Sequence, residues 1–375
     1  MGKLKHRTFN ADRFLDKFQG QEDILRSFVS LWDGRLGLDV ASLDVPLFKD
    51  FLVNGDGDGK DDLLEGLYQA YDLCTERGHE DLVAACSDYG YKPDGNGELP
   101  VECLSLKVRT ENDDAFTLAY DRHTLWRAER FTIFRGKSAA AIIDINDAST
   151  AFQAKLAEAF KDHKNSDRVL IRHYQEGAYT NFIIYHEKRT KAELIFKGTR
   201  TRLKVSPTIL RPAQQDFISY NNHTGQVEIE ASFEKEETML RKVFAECCLR
   251  DSDFFDSPGS ADRLNLARIA EEDFDMPVDE DHSAFLAELH FSLKQVHGPS
   301  FMVRSKNVLE TLDKNYLRKR LAGGTIRRVV FKIMFPDDQR GKRIELSGTN
   351  KIKFKRATHA EDVFRYLRNW GIVID

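Results

Sequence analysis

Five residues whose side-chain oxygens could bind a metal ion are close together in sequence, in the first quarter of this 375-residue chain. They are Asn54, Asp56, Asp58, Asp62 and Glu65. Carboxylate and amide oxygens at such close spacing can surround a hard divalent cation, and a glycine among them lets the chain turn around the ion. The sequence therefore predicts that residues 54–65 bind Ca²⁺ or Mg²⁺.

This acidic loop is similar to the EF-hand calcium loop, whose ligands occupy positions 1, 3, 5 and 12 around a glycine at position 6. Asn54 stands at position 1, Gly59 at position 6 and Glu65 at position 12, with apolar helical patterns on both sides. The sequence departs from the loop at position 8, where Asp61 replaces an apolar residue. The alternative is a surface turn in which Asp61 and Asp62 begin a helix and complement its dipole.

Cations are concentrated at the other end of the chain. Residues 298–375 contain 18 Lys and Arg against 8 Asp and Glu, a net charge of +10, whereas residues 1–297 have a net charge of −15. Several cations in register neutralise a phosphate backbone and release its counterions. The residues that we predict to contact nucleic acid are Arg318, Lys319, Arg320, Arg327, Arg328, Lys332, Arg340, Lys342, Arg343, Lys351, Lys353, Lys355 and Arg356.

The segment Lys351–Arg356 is the clearest part of this basic region. In a strand, Ile352 and Phe354 would point inward, and Lys351, Lys353 and Lys355 would line one outward face. Lysines in this arrangement suit a phosphate backbone better than base edges. Three alternatives remain open: cations that complement a helix C-terminus, lysines that protect an edge strand, and docking onto the acidic remainder of the chain.

The elements that must position these residues predict an α+β chain. It has a helical N-terminal region, a central mostly antiparallel sheet with helices, and a small basic α/β C-terminal lobe. The predicted regions are 1–97 (helical and acidic), 98–258 (sheet domain), 259–297 (helical connector) and 298–375 (basic lobe).

Within these regions, several shorter patterns predict individual elements. Alternating or continuous apolar residues predict strands at 101–108, 115–120 and 227–233. The spacing of apolar residues predicts a helix from about residue 235 to residue 249. The pattern around Ser347-Gly-Thr-Asn350 predicts a hairpin that joins Ile344–Leu346 to Ile352–Phe354.

The sequence also lacks several patterns that would indicate a particular class of protein. No stretch approaches the ~20 apolar residues of a membrane helix, and no apolar region follows the basic N-terminus as in a signal peptide. The five cysteines fit no zinc-binding spacing and are expected to be reduced in the cytoplasm. There is no Gly-x-Ser-x-Gly, Walker loop, dinucleotide fingerprint or His-Glu-x-x-His motif, so no catalytic residue is predicted.

From these observations we predict a cytoplasmic protein that binds nucleic acid, DNA in particular, through the phosphate backbone and without catalysis of its own. It would be a subunit or regulator of a larger assembly with protein partners, such as a host-defence or mobile-element system. One alternative is a metal-dependent nuclease with carboxylates from the central sheet. The other is a protein–protein interaction subunit that docks through acidic and basic surfaces.

Overall fold

The computed structural model describes residues 9–93, 99–164, 166–188, 190–197, 204–293, 298–315, 317–321, 323–356 and 358–374. The chain divides into two compact units at Arg127/Ala128. The fold is α+β, with a helical N-terminal unit and a large antiparallel sheet in the C-terminal unit, as the sequence predicts. In the described part of the chain, no helix is both long enough and apolar enough to cross a membrane.

The N-terminal unit consists of short helices around an aromatic core. The helices are α1 (Ala11–Leu15), α2 (Glu22–Val29), α3 (Val45–Asn54), α4 (Lys60–Asp72), α5 (Glu76–Asp88), α6 (Val101–Glu111) and α7 (Asp113–Leu125). Side-chain caps fix where several of them begin: the Asp44 carboxylate accepts from the backbone N–H of Leu47, and the Thr75 hydroxyl accepts from that of Gly78. Phe18, among the fully buried rings, lies in the core of this unit.

Two strand predictions in this unit were wrong. Residues 101–108 and 115–120 lie in helices α6 and α7. The first segment contains four buried apolar residues, Cys103, Leu104, Leu106 and Val108. Their side chains are distributed around more than half of the helix circumference. A helix buried on most sides loses the 3.6-residue period, so its sequence resembles that of a buried strand.

The C-terminal unit is built on one antiparallel sheet, which contains ten strands within the described residues. The strands, with a separate hairpin formed by β4 and β5, are β1 (Arg130–Arg135), β2 (Val169–Glu176), β3 (Tyr179–Glu187), β4 (Lys191–Lys197), β5 (Lys204–Leu210), β6 (Ala213–Asn221), β7 (Gln226–Glu230), β8 (Ser283–Leu293), β9 (Ser300–Arg304), β10 (Gly324–Phe335), β11 (Asp338–Ser347) and β12 (Lys351–Lys353). Their order in the large sheet is β2-β3-β6-β7-β1-β12-β11-β10-β8-β9. The helices are α8 (Ile145–Lys164), α9 (Glu234–Leu249), α10 (Val308–Lys314), α11 (Arg318–Leu321) and α12 (Ala360–Asn369).

Helices cover opposite faces of the two halves of this sheet. Helices α8 and α9 pack on β2, β3, β6 and β7, and we call this side of the sheet the α9 face. Helices α10 and α12 pack on the opposite side of β8, β10, β11 and β12, which we call the α12 face. Strand β1 contributes to both cores, because its consecutive residues Ile133 and Phe134 point to opposite sides of the sheet. The sheet therefore continues from one core into the other, and the strands of 298–375 pair directly with β1 and β8.

The predicted helical connector, 259–297, is wrong: among its described residues only Leu266–Ala270 form a helix, a short 3₁₀-helix, and residues 283–293 form strand β8. A bulge lies in β8 between its pairings of Leu286 and Glu288 with β10. The extra residue makes Leu286 and Leu289 face the same side although they are three positions apart. A bulged strand therefore imitates the spacing of an amphipathic helix.

Candidate nucleic-acid interface

Cross-strand pairing places a row of mostly charged residues across six strands of the sheet. Residues that stand opposite each other in paired strands project to the same side. The row follows the register β1-β12-β11-β10-β8-β9 and consists of Arg130, Lys353, Glu345, Val330, Glu288 and Arg304. The row lies on the α9 face, in the half of the sheet that packs against α10 and α12 on its opposite side. That opposite side is the α12 face.

Neighbouring rows on the same side add further cations. Lys351 stands opposite Ser347, which in turn stands opposite Arg328, and Lys332 stands opposite Arg343. We call this surface the basic face. Its cations are Arg130, Arg304, Arg328, Lys332, Arg343, Lys351 and Lys353, and its paired acidic residues are Glu288 and Glu345.

Glu288 lies at the centre of the arginines of this surface. Its carboxylate accepts from Nε and Nη2 of Arg304 at 2.9 and 2.7 Å, and it lies 3.1 Å from Nη1 of Arg328 and 3.4 Å from Nη2 of Arg343. His290 Nε2 lies 2.8 Å from the same carboxylate. Burial by itself would raise the pKa of Glu288, but these hydrogen bonds and the arginine charges outweigh it and hold the pKa at about 2. Glu288 therefore stays ionised and fixes three guanidinium groups in one array.

The arginines differ from their central carboxylate in exposure. The Glu288 side chain is 1% exposed, whereas those of Arg304 and Arg343 are 66% and 56% exposed. Arg328 is less exposed and also donates to Glu345 at 2.8 Å. Guanidinium groups carry five N–H donors in a rigid plane. Arg304 and Arg343 can thus keep their contact with Glu288 and still donate outward to an anion.

One lysine of the basic face, Lys351, lies near the first turn of α9. Lys351 is close enough to Glu237 for its positive charge to act on that carboxyl group. Burial nevertheless raises the pKa of Glu237, and the hydrogen bond from Thr132 and the charges of Arg241 and Lys351 only partly oppose it. The Glu237 side chain marks the point where the helix-covered half of the α9 face ends and the basic face begins.

The prediction that Ile352 and Phe354 point inward is confirmed. They belong to the core on the α12 face, and only 1% and 3% of their surfaces are exposed. The predicted hairpin is also present, with Leu346 paired to Ile352. Lys351 and Lys353 consequently lie on the opposite side, in the basic face. Lys355 follows the end of β12 and is exposed.

Several other predicted cations do not join this surface. Arg318 and Lys319 belong to α11, which buries Leu321 in the core of the α12 face. Arg318 donates to the backbone oxygens of Glu272 and Phe274 at 3.3 and 3.2 Å. Helix α11 therefore lies on the far side of the sheet, and the side chain of Arg320 is outside the described residues.

Arg356 also lies away from the basic face, with its side chain inside the fold. Its guanidinium stacks 3.6 Å from the centroid of the Phe131 ring and forms an ion pair with Glu228. Both side chains of that ion pair are almost completely buried. Arg356 is thus a structural cation rather than a surface one.

The remaining three predicted cations lie away from the main rows. Lys342 stands opposite Ile333, on the α12 side, and donates to the Thr358 hydroxyl. Its burial lowers the pKa of its ammonium group. Arg327 donates to the Ser292 hydroxyl at 3.0 Å, and Arg340 is exposed near the turn that opens β11.

Two cations of the basic face were missed by the sequence reasoning. Arg130 is separated from the basic region by more than 160 residues of chain, and only the pairing of β1 with β12 brings it there. Arg304 stands apart from the runs of cations, and its place follows from the pairing of β9 with the bulged strand β8. A correct assignment of β8 as a strand would have been the signal for Arg304.

The acidic loop does not bring its predicted ligands together in this structure. Helix α4 begins at Lys60, position 7 of the loop, and the Asp62 carboxylate accepts from Arg35 Nη2 at 2.8 Å. Asn54 Nδ2 donates to Asp50, and Glu65 accepts from Gln69 Nε2 at 3.0 Å. Within the described residues, no three carboxylates of this loop lie within 4.8 Å of one another. The binding of Ca²⁺ or Mg²⁺ by Asn54, Asp56, Asp58, Asp62 and Glu65 remains a prediction.

Neither a protein-family model nor a curated protein matches this chain.

Proposed function

We propose that the basic face binds nucleic acid, DNA in particular, through the phosphate backbone. The observation that carries this proposal is the register of the strands β1, β12, β11, β10, β8 and β9. It places seven cations and only two carboxylates, those of Glu288 and Glu345, on one side of the sheet. In this role the chain would act in the cytoplasm, as a subunit or regulator of a larger assembly and without catalysis of its own. Its five free cysteines suit that reducing compartment.

The chemistry of the cations favours phosphates as their ligands. Neighbouring strands are about 4.8 Å apart, and alternate residues of one strand are about 6.7 Å apart. A sheet face therefore offers cations at close, regular intervals along an extended polyanion. Arginines can contact phosphate oxygens with two parallel hydrogen bonds, and lysines add point charges.

The exposure of the arginines supports the same proposal. Because the guanidinium groups of Arg304 and Arg343 are held by Glu288 on one side and are mostly exposed, little rotamer freedom remains to be lost when they bind. A surface of this kind recognises charge and spacing more than base sequence. Binding should therefore be strongly salt-dependent and weakly sequence-dependent.

The test is a fluorescence-anisotropy titration of a labelled DNA duplex at several salt concentrations. We compare the double variant Lys351→Glu/Lys353→Glu with the single variant Lys319→Glu. Lys319 is also exposed and belongs to the same basic region of sequence, but its helix packs on the other side of the sheet. The double variant should weaken binding at least ~10-fold and reduce the slope of log K against log salt by about 1 for each lost contact.

The Lys319→Glu variant should bind nearly as tightly as the wild-type protein. A wild-type protein that does not bind DNA or RNA at low salt would overturn the proposal. So would a loss of binding in Lys319→Glu that equals the loss in the double variant, because the α12 side would then be the interface. The same titration with single-stranded RNA compares the two nucleic acids directly.

A further inference from the structure

Three ligand-type side chains meet inside the other half of the α9 face. His186 lies in β3, Asp216 in β6 and Glu236 in the first turn of α9. One potential ligand atom from each lies within 4.8 Å of the other two. All three residues are buried, with exposures of 3%, 1% and 1%. Sequence reasoning did not identify this group, because 30 and 20 residues separate its members along the chain.

Hydrogen bonds within and around this cluster hold its side chains in place. His186 Nε2 lies 2.8 Å from Asp216 Oδ2, and His186 Nδ1 lies 3.4 Å from the backbone oxygen of Glu187. Gln214 Nε2 donates to Asp216 Oδ1 at 2.8 Å and to Glu236 Oε2 at 3.1 Å. The amide thus holds one oxygen of each carboxylate, and the other oxygen of Asp216 faces the imidazole.

This arrangement matches the pattern of a metal site and its surroundings. A histidine that ligates a metal through one ring nitrogen usually donates the other ring N–H to a carboxylate or a backbone carbonyl, and ligating carboxylates are hydrogen-bonded in turn. The Glu187 carbonyl and the Gln214 amide occupy those two outer positions here. The His186 ring is also stacked on Phe160, with 4.3 Å between the ring centroids, so its orientation is fixed.

We propose that His186, Asp216 and Glu236 are ligands of one divalent transition-metal ion. An imidazole nitrogen with two carboxylate oxygens suits Zn²⁺ or Mn²⁺, because imidazole favours zinc and carboxylates accept both. The site is enclosed and joins two strands to α9, so the ion has a structural role: it fastens the first turn of that helix to the sheet. The proposal is independent of nucleic-acid binding by the basic face.

The test measures metal binding by the full chain after removal of bound metal with a chelator. Zn²⁺ is titrated in competition with a chromophoric chelator, and Mn²⁺ serves as a second probe that cysteine thiolates bind poorly. We compare wild-type protein with Glu236→Gln and with Glu234→Gln, an exposed carboxylate in the same helical turn. The expected result is one tight site in the wild type and in Glu234→Gln, and at least ~10-fold weaker binding in Glu236→Gln.

Thermal unfolding gives a readout that needs no variant. One equivalent of metal should raise the Tm of the stripped wild-type protein, because an ion that binds only the folded state stabilises it. If Glu236→Gln does not fold, as judged by circular dichroism, Asp216→Asn replaces it in the comparison. A folded wild-type protein that binds neither ion stoichiometrically, or equal affinity in wild type and ligand variants, would overturn the proposal.

Discussion

The carboxylate of Glu288 accepts two hydrogen bonds from the guanidinium of Arg304, one from Nε and one from Nη2. This contact joins a buried residue of β8 to a mostly exposed residue of β9 across a directly opposed pair. Because Arg328 and Arg343 lie around the same carboxylate, one acidic side chain determines the positions of three basic ones. The stability of the sheet and the geometry of the basic face therefore depend on the same group.

We expect Glu288→Gln to lower the free energy of unfolding at pH 7 by about 1.5–3 kcal/mol, because it removes hydrogen bonds to charged groups. The exposed pair Glu310–Lys314, 2.5 Å apart in α10, provides the control. Glu310→Gln should cost less than about 0.5 kcal/mol. Urea unfolding of both variants makes the comparison, and equal losses would contradict the central role of Glu288.

The low pKa of Glu288 also predicts how this difference varies with pH. A carboxyl whose pKa is about 2 in the folded protein, below its usual value, stabilises the fold fully above pH 5. That stabilisation is lost as the pH falls from about 5 toward 2, because protons then bind preferentially to the unfolded chain. The stability difference between wild type and Glu288→Gln should shrink over this range, and a constant difference would contradict the assignment.

Glu230 predicts the opposite pH dependence. Burial raises the pKa of this carboxyl to about 8, although a hydrogen bond from the backbone of Arg130 and the charge of Arg356 oppose the shift. Since the unfolded chain ionises first, this group reduces stability as the pH rises from about 5 to 8, by up to about 1.4 kcal/mol per pH unit. Within the described residues, its buried Oε2 atom has no hydrogen-bond partner.

We therefore expect Glu230→Gln to remove this slope and to be more stable than the wild type at pH 8. The measurement is the Tm of both proteins at pH values from 5 to 8. Glu176→Gln, which changes an exposed carboxyl at the end of β2, is the control and should keep the wild-type slope. Parallel profiles for wild type and Glu230→Gln would show that Glu230 does not titrate in this range.

Two hairpin glycines provide a matched test of local packing. Gly225 has φ +70°, and a Cβ atom there would lie 2.1 Å from the backbone oxygen of Ser138. Gly177 has φ +55°, but a Cβ atom there would meet nothing within 4 Å. Left-handed backbone costs a non-glycine residue about 1–2 kcal/mol.

Gly177→Ala should therefore cost about 1–2 kcal/mol. Gly225→Ala should cost at least ~1 kcal/mol more, because the backbone of one of the two segments must move. Urea unfolding measures both variants. Equal costs would mean that the loop around Ser138 moves aside without penalty.

The elements that were predicted correctly are those whose period the sequence shows directly. Strand β7 and the hairpin of β11 and β12 show the alternation of apolar and polar residues that is typical of a strand, and α9 keeps its apolar residues at helical spacing. The errors occurred where packing hides the period. Helix α6 is buried on most sides, and the bulge in β8 makes Leu286 and Leu289 resemble one face of a helix.

The sequence by itself determined that the C-terminal part of the chain is basic, that Lys351 and Lys353 share one side of a strand, and that the fold is α+β. The tertiary structure alone decided which cations share a surface: Arg130 joins them through β1, and Arg356 is buried against Phe131. It also decided that His186, Asp216 and Glu236 meet. The physical reason is that alternation along a strand is a local property, whereas strand order and register depend on how both cores are buried over the whole sheet.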